Sequence, residues 1–335
     1  MEPSLNRRKF LATSLAAGGA AVALRSFEEK ALAAEMKPPA GAPVPAAVEP
    51  LQLPHGKIKD LGISRVICGG NLIGGWAHSR DLMYVSPLVK AYHTDEKIFE
   101  TLRLAEHRGV NTVLTNPVSD RVIHDYWYRE GGKIQWISDC ASGDLRESIR
   151  RSVGSGAHAV YLQGGVCDKL VRDGQLAEIE SVLGFMQQQR VPCGLGAHSL
   201  QTVKACVSAG LSPDFWVKTL HRDSYWSATP GGNRAIFDEI NGNKPGHDQP
   251  HDNMWCTDAP QTIAYMATVK KPWIAFKVLA AGALHPRQEF QWAFENGADF
   301  LCVGMFDFQV VENTAIAARA LKAVAGVNRR RTWMA

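Results

Sequence analysis

One local pattern restricts the fold of this chain more than any other feature: a helical run that ends in glycine and leads straight into an apolar strand. It occurs at Gly109 before residues 111–115, at Gly156 before 159–163, at Gly210 before 215–220 and at Gly297 before 300–305. Glycine just past a helix end accepts the left-handed conformation that stops the helix, and the short link then feeds the next strand. Four further apolar runs, 65–69, 134–139, 192–197 and 273–279, complete eight strands. Amphipathic stretches such as 96–107 and 201–209 lie between most of them. Strict alternation of strand and helix specifies a parallel sheet with right-handed crossovers, and eight such units within about 270 residues make an α/β protein of the (β/α)8 TIM barrel type. An open doubly wound sheet would carry a G-x-G-x-x-G turn after its first strand. The glycines at 69, 70, 74 and 75 do not take that spacing.

Composition narrows the function classes. The 335 residues are 45% hydrophobic with a net charge of only +4, so a packed globular protein is expected and disorder is excluded. No dense Lys/Arg tract offers a footprint for phosphates, so a nucleic-acid partner is not expected. The seven cysteines are odd in number and never spaced C-x-x-C, which argues for buried thiols rather than disulfides or a zinc ribbon.

In a barrel the reacting groups come from the C-terminal ends of the strands. Those positions here are polar: Asn71, Asn116, Asp139, Gln163, His198, Lys218 with His221, Lys277 and Asp307. Lys218 and Lys277 each stand among apolar residues on neighbouring strands, where desolvation and a second cation depress an amine's pKa. They are candidate catalytic residues, for Schiff-base or proton-transfer chemistry, together with Asp139 and His198. The structural alternative is that each lysine is locked to Asp139 or Asp307 as an ion pair. Asn71, Asn116, Gln163, His221 and Asp307 are candidate substrate contacts. His78, Tyr225 and Trp226 join them from the two long connections, 76–84 and 222–257, which are candidate lids. His198, His221 and Asp223 have no spacing that demands a metal, so none is expected. Asp258 and Gln261 read as a capping box that restarts a helix.

The N-terminus carries a separate instruction. Asn6, Arg7, Arg8, Lys9, Phe10 and Leu11 open a mildly apolar run to Leu24, followed by Ala31, Leu32 and Ala33 as a small-residue cleavage box. This opening resembles a twin-arginine export signal, and the resemblance implies the twin-arginine export machinery as a partner and a periplasmic destination. The apolar run is too short for a membrane span. The expected organisation is a signal over 1–33, a Pro/Ala-rich tether over 34–56 and one barrel over 57–330.

Several stretches of the barrel resemble the aldo/keto reductase family. They are Leu61 to Val66 with Gly69, Gly70 and Asn71; Ala105 to Thr112; Ile274 to Gly282; and Val303 to Met305 with Val311, Glu312 and Asn313. The resemblance implies the barrel fold and, at strand eight, a region that holds a cofactor phosphate. That family transfers hydride with an Asp, a Tyr, a Lys and a His. Here the Asp position is Thr115, the Lys position is Asp139 and the His position is Gln163, while Tyr126 follows the place of the Tyr. A carboxylate where a cation belongs raises a phenol's pKa instead of acidifying it. The expected activity is therefore acid–base or imine chemistry, of lyase, isomerase or aldolase type, on a small carbonyl or sugar-like substrate, with no cofactor. An NADP-dependent oxidoreductase with reassigned acid groups is the alternative, and a catalytically silent binding protein the third.

Overall fold

The computed structural model describes residues 48–76, 84–141, 143–226, 228, 236, 255–327 and 329–335. The export signal, most of the tether, His78 and most of the 222–257 connection lie outside the described residues. Eight strands, β3 (Val66–Gly69), β4 (Thr112–Thr115), β5 (Gln135–Cys140), β6 (Ala159–Leu162), β7 (Cys193–Ala197), β8 (Phe215–Thr219), β9 (Trp273–Phe276) and β10 (Phe300–Gly304), close into one parallel barrel in sequence order, with β10 beside β3. The chain is thus a (β/α)8 barrel, as the alternation specifies.

The helices form the outer ring: α1 (Val85–Tyr92), α2 (Asp95–His107), α3 (Asp120–Tyr128), α4 (Leu145–Gly154), α5 (Gly164–Arg172), α6 (Leu176–Gln188), α7 (Leu200–Ser208), α8 (Ala259–Met266), α9 (Pro286–Glu295) and α10 (Asp307–Ala325). Several begin at a side chain that accepts a backbone N–H, which satisfies donors the helix leaves open. Thr94, Asp144 and Ser199 cap α2, α4 and α7 in this way. Asp258 caps α8 by accepting the Gln261 N–H, and its second oxygen accepts the Gln261 side-chain amide. The helix restarts where expected, but the Gln261 side chain donates to the Asp258 carboxylate instead of accepting the Asp258 N–H as a capping box would have it.

Two cores follow from the period-two alternation of the strands. Ile67, Leu114, Ile137, Tyr161, Phe215, Val217, Ile274, Phe300 and Cys302 fill the barrel interior. Residues of opposite parity, among them Trp136, Leu195, Trp216 and Ala275, pack against the helices. The lower end is plugged by an antiparallel hairpin, β1 (His55–Ile58) and β2 (Leu61–Ser64), whose Ile58 and Ile63 join the interior core. Glycine is required where β7 meets α5. A Cβ on Gly196 would stand 2.5 Å from the Gly164 nitrogen and 2.9 Å from the Leu162 carbonyl oxygen.

Residues on both sides of 57–330 make contacts with the barrel. Residues 48–56, expected to be a tether, are fastened to the barrel: Leu53 is buried, the Leu51 N–H donates to the His107 carbonyl, and Arg108 reaches the Glu49 carbonyl. Pro and Ala richness describes a segment without regular hydrogen bonds, and such a segment still packs where its neighbours supply donors. At the other end, residues 329–335 close the underside of the barrel. Arg331 donates to Asp299 at 2.5 Å and to the carbonyls of Gly297, Val269 and Lys271. Arg65 lies over the Trp333 ring at 4.0 Å and donates to the Ala335 carbonyl.

Arg331 and Asp299 are almost wholly buried, with side chains 1% and 0% exposed. Removing one partner of a buried pair strands the other charge, at a cost of about 3–5 kcal/mol. Arg331→Met is expected to lower unfolding stability by that order in urea titration. A change below about 1 kcal/mol would show that the tail does not brace the barrel.

Candidate active site

The C-terminal ends of β5, β7, β8 and β9 gather the ionisable groups of the barrel mouth. Asp139 follows Ile137 on the inward parity of β5 and is partly exposed, yet its Oδ1 is buried with no hydrogen-bond partner. Burial pushes its carboxyl up from the ordinary 3.8 to about 7, and Lys277 pulls in the opposite direction with a smaller effect. A carboxyl that is half ionised near neutral pH can both give and take a proton. Its strand neighbour in register is Tyr161, whose buried phenol is held well above its ordinary range by desolvation and then by Asp139.

Lys277 follows the last residue of β9 in a left-handed conformation, φ 58°, and so departs from the strand. Ala280 and Ala281 are left-handed as well, at φ 46° and 55°, which concentrates strained backbone behind this lysine. The amine rests 3.7 Å from the centre of the Trp255 ring and 5.4 Å from that of Phe276. An aromatic face attracts a cation, so the two rings hold the amine in this seat.

Lys218 is differently placed. Its register neighbours are Ala197 and Ala275, both in the helix-facing core, and it is 1% exposed. Its Nζ donates to the Thr219 carbonyl at 2.9 Å and the Thr219 hydroxyl at 2.7 Å. That hydroxyl in turn donates towards the carbonyls of His198 and Trp255. Burial lowers the Lys218 pKa, while Cys256 and Asp168 act in the raising direction. The two lysines therefore do not enter one pocket at equal depth. Strand alternation turns Lys218 to the helix side, and the left-handed turn carries Lys277 off its strand. Neither forms the ion pair that the structural alternative supposes with Asp307, because that carboxylate accepts from Tyr92 at 2.5 Å and pairs with Lys97 at 3.0 Å.

Both lysines still act on the two histidines. His198 ends β7 with its ring 5.4 Å from that of Phe276, and its Nδ1 lies 3.1 Å from Asp168. Burial lowers its pKa, Asp168 raises it, and Lys277 and Lys218 lower it further. His221 donates from Nδ1 to the Arg222 carbonyl and accepts the Cys256 N–H at Nε2, since that N–H can only donate. Burial brings its pKa down to about 4. His221 is therefore a neutral brace for the chain entering α8, and Tyr225 packs on its edge at 6.2 Å.

Other residues read as substrate contacts are engaged by the scaffold. Gln163 caps α5 by accepting the Val166 N–H, and Asn116 accepts the Val118 N–H in the turn after β4. The Asn71 carbonyl accepts from Trp76 and closes the loop after β3. Asp307 opens α10 in the helix layer, away from the barrel axis, because Tyr92 and Lys97 hold it there. Trp226 is 90% exposed. Tyr126 donates to Glu106 in the outer layer, and burial raises its phenol pKa strongly. It is therefore no proton donor to the mouth.

Sequence reading missed Asp168 and Thr219. Asp168 had a visible signal, a carboxylate between Cys167 and the apolar Leu170 and Val171 on a helix face that must be buried. The seven cysteines are buried and free, and among the described residues no cluster of His, Cys, Asp and Glu has the form of a metal site. No helix among the described residues is long and apolar enough to cross a membrane.

No family model matches the chain, and no curated protein matches it. Among solved structures the chain is similar to an N-acetylneuraminic acid synthetase from Leptospira borgpetersenii serovar Hardjo-bovis in complex with citrate, at 10% identity and TM-score 0.48, over 83% of this chain and 92% of that one. It is also similar to a dihydrodipicolinate synthase, at 12% identity and TM-score 0.41, over 69% of this chain and 72% of that one. An aldolase, QR15, gives 12% identity and TM-score 0.40 over 70% and 92%.

A carboxyl with its pKa raised on folding binds a proton that the unfolded chain has already lost. Between 3.8 and about 7 the native state holds more protons, so stability falls as pH rises through that window. Asp139→Asn is expected to remove this contribution, flattening the decline measured by urea unfolding at successive pH values. An unchanged pH slope would mean that Asp139 ionises at its ordinary pKa.

Proposed function

We propose that this chain is an exported barrel enzyme that moves a proton beside the carbonyl group of a small substrate. The observation that carries the reading is Asp139, a carboxyl with an unpartnered buried oxygen and a pKa near 7, in the same mouth as the Lys277 ammonium. As the base, Asp139 takes a proton from the carbon next to the carbonyl. The C–H electron pair becomes the C=C bond of an enolate, the carbonyl π pair moves to oxygen, and Lys277 faces the resulting negative charge. With an α-hydroxyl on the substrate, that hydroxyl's proton passes to the former carbonyl oxygen and the carbon proton returns to the former carbonyl carbon, which gives isomerisation. With a β-hydroxyl, the base takes the hydroxyl proton instead, and the Cα–Cβ bond breaks to release a carbonyl product. Its electron pair forms the same enolate, and protonation of that enolate completes the lyase direction. Neither step needs a nicotinamide. The engagement of Tyr126 by Glu106 also weighs against the hydride-transfer alternative.

One observation favours an imine variant. Lys218 is buried, burial lowers its pKa, and its acceptors are a hydroxyl and a carbonyl rather than a carboxylate; because strand parity puts it on the helix side of β8, the imine route requires its side chain to turn into the mouth. Export rests on Arg7, Arg8 and the small-residue box at 31–33, which support a twin-arginine route to the periplasm.

Proton exchange tests the reading directly. The protein is incubated in deuterated buffer with a panel of small ketones, hydroxyketones and keto acids, and loss of the α-proton signal is followed by NMR. Exchange is expected to rise with pH through about 7, as the base form of Asp139 appears. Asp139→Asn is expected to reduce it by about 10²–10⁴-fold, and Lys277→Met by about 10²–10³-fold. Exchange that survives both substitutions contradicts the mechanism. Borohydride separates the variants: a reduced adduct on Lys218 establishes the imine route, and exchange without any adduct establishes the enolate route.

A further inference from the structure

Gly69, Gly196 and Gly304 take inward positions at the C-terminal ends of β3, β7 and β10. The first two are glycine for reasons internal to the fold. A Cβ on Gly69 would stand 2.7 Å from the Gly304 nitrogen, and one on Gly196 would stand 2.5 Å from the Gly164 nitrogen. Gly304 has no such reason. Its φ is not left-handed, and the nearest atoms to a Cβ there are Leu72 carbons at 3.7 Å and the Gly69 carbonyl oxygen at 3.9 Å, ordinary van der Waals contacts. Glycine in a strand gives up packing and costs backbone entropy, and it marks places where another backbone or a ligand comes close. No backbone occupies the place that a Gly304 side chain would take.

Its position ties it to the mouth. Gly304 follows Cys302 by two residues and so stands above that interior residue on the same face of β10. Burial pushes the Cys302 thiol up, Cys68 and Asp139 raise it further, and Lys277 lowers it, so both groups of the proposed chemistry act on the floor beneath Gly304. At the same level, β4, β6 and β8 end in Asn116, Gln163 and Thr219, two residues past the interior Leu114, Tyr161 and Val217. These three side chains are held by the scaffold: Asn116 accepts the Val118 N–H, Gln163 the Val166 N–H, and Thr219 the Lys218 amine. Gly304 bears no side chain, and it is exposed.

We infer that Gly304 is a specificity-determining residue, which leaves room over β10 for an unbranched carbon chain on the far side of the substrate's carbonyl from the carbon that Asp139 deprotonates. This rests on the enolate reading of the same mouth and adds the shape of the substrate. Asp139 stands on β5, which lies opposite β9 in the ring of eight, and Lys277 follows β9. A carbonyl compound reaching from one to the other brings its remaining substituent to the Lys277 side, where β10 is the next strand. The side chain nearest to that space is Leu72, so the chain that fits it is apolar.

The test has two independent parts. Deuterium exchange by the full chain is followed by NMR at the methyl group shared by acetone, methyl ethyl ketone, methyl propyl ketone and methyl butyl ketone. kcat/KM is expected to rise about fourfold for each methylene that leaves water. Gly304→Val should flatten the series, lowering methyl butyl ketone about 50-fold more than acetone, and Gly304→Ala, whose Cβ meets nothing closer than 3.7 Å, should fall between. A flat series in the unsubstituted protein contradicts the chain assignment, and a Gly304→Val protein that loses all four ketones alike contradicts the role of Gly304. Exchange into none of them contradicts the enolate reading on these probes. The second part needs no turnover. The seven native thiols are buried, so a methanethiosulfonate reagent should label Gly304→Cys ahead of them. Methyl butyl ketone should slow that labelling more than acetone does at equal concentration. Labelling no faster than that of the native thiols, or equally fast with and without methyl butyl ketone, overturns the inference whatever the exchange series gives.

Discussion

Closing eight short parallel strands into a ring makes their C-terminal side chains converge on a space too small for water to solvate them all. The interior below that point is sealed by Ile67, Ile137, Phe215 and Phe300, and the underside by the β1–β2 hairpin and the Arg331–Asp299 pair. Charge at the mouth is therefore held over a low-dielectric floor, where desolvation outweighs any single partner. This hierarchy appears group by group. Burial is the largest influence on Asp139, His198, His221 and Lys218, and the neighbouring charges act only as corrections. Desolvation brings the Asp139 carboxyl near neutrality against the opposing pull of Lys277.

The outer layer makes the opposite use of charge. Lys97 with Asp307 and Glu100, Arg121 with Asp95, and Arg151 with Asp120 neutralise carboxylates between helices, near water. Asp168 stands between the two regimes. It is buried like the mouth residues but accepts the N–H groups of His198 and Ser199 and the Thr202 hydroxyl, because the N-terminus of α7 and the His198 segment meet there. The close approach of Gly164 to Gly196 allows that meeting. A scaffold contact between a strand and a helix thus becomes the support of a candidate active-site histidine.

The barrel was legible because its signal is repeated. Glycines 109, 156, 210 and 297 all take positive φ at helix ends, between 78° and 106°, and each is followed by the strand it announces. A single strand-end residue has no such redundancy, which is why the site was read only in part. Asp139 and His198 keep the inward parity that alternation assigns. Lys218 does not, since its parity belongs to Trp216, and Lys277 escapes parity through a left-handed turn that an Ala-rich sequence does not advertise. Gln163 and Asn116 are polar at strand ends for a local reason, as caps of the turns that follow. Asp307 looked like a pocket residue because Tyr92 and Lys97 reach it from helices more than 200 residues away in sequence. The contacts of residues 49 and 51 were hidden in the same way, because their partners Arg108 and His107 lie at the C-terminal end of α2.

The account stands on the protonation state of one carboxyl. Its most direct test is a ¹³C NMR titration of the Asp139 side-chain carboxyl in aspartate-labelled protein, assigned by difference from Asp139→Asn. A midpoint near 7 is the result predicted by a desolvated carboxyl poised to exchange protons in the barrel mouth. A midpoint near the ordinary 3.8 would show a solvated, permanently ionised carboxylate and would contradict the proposed chemistry.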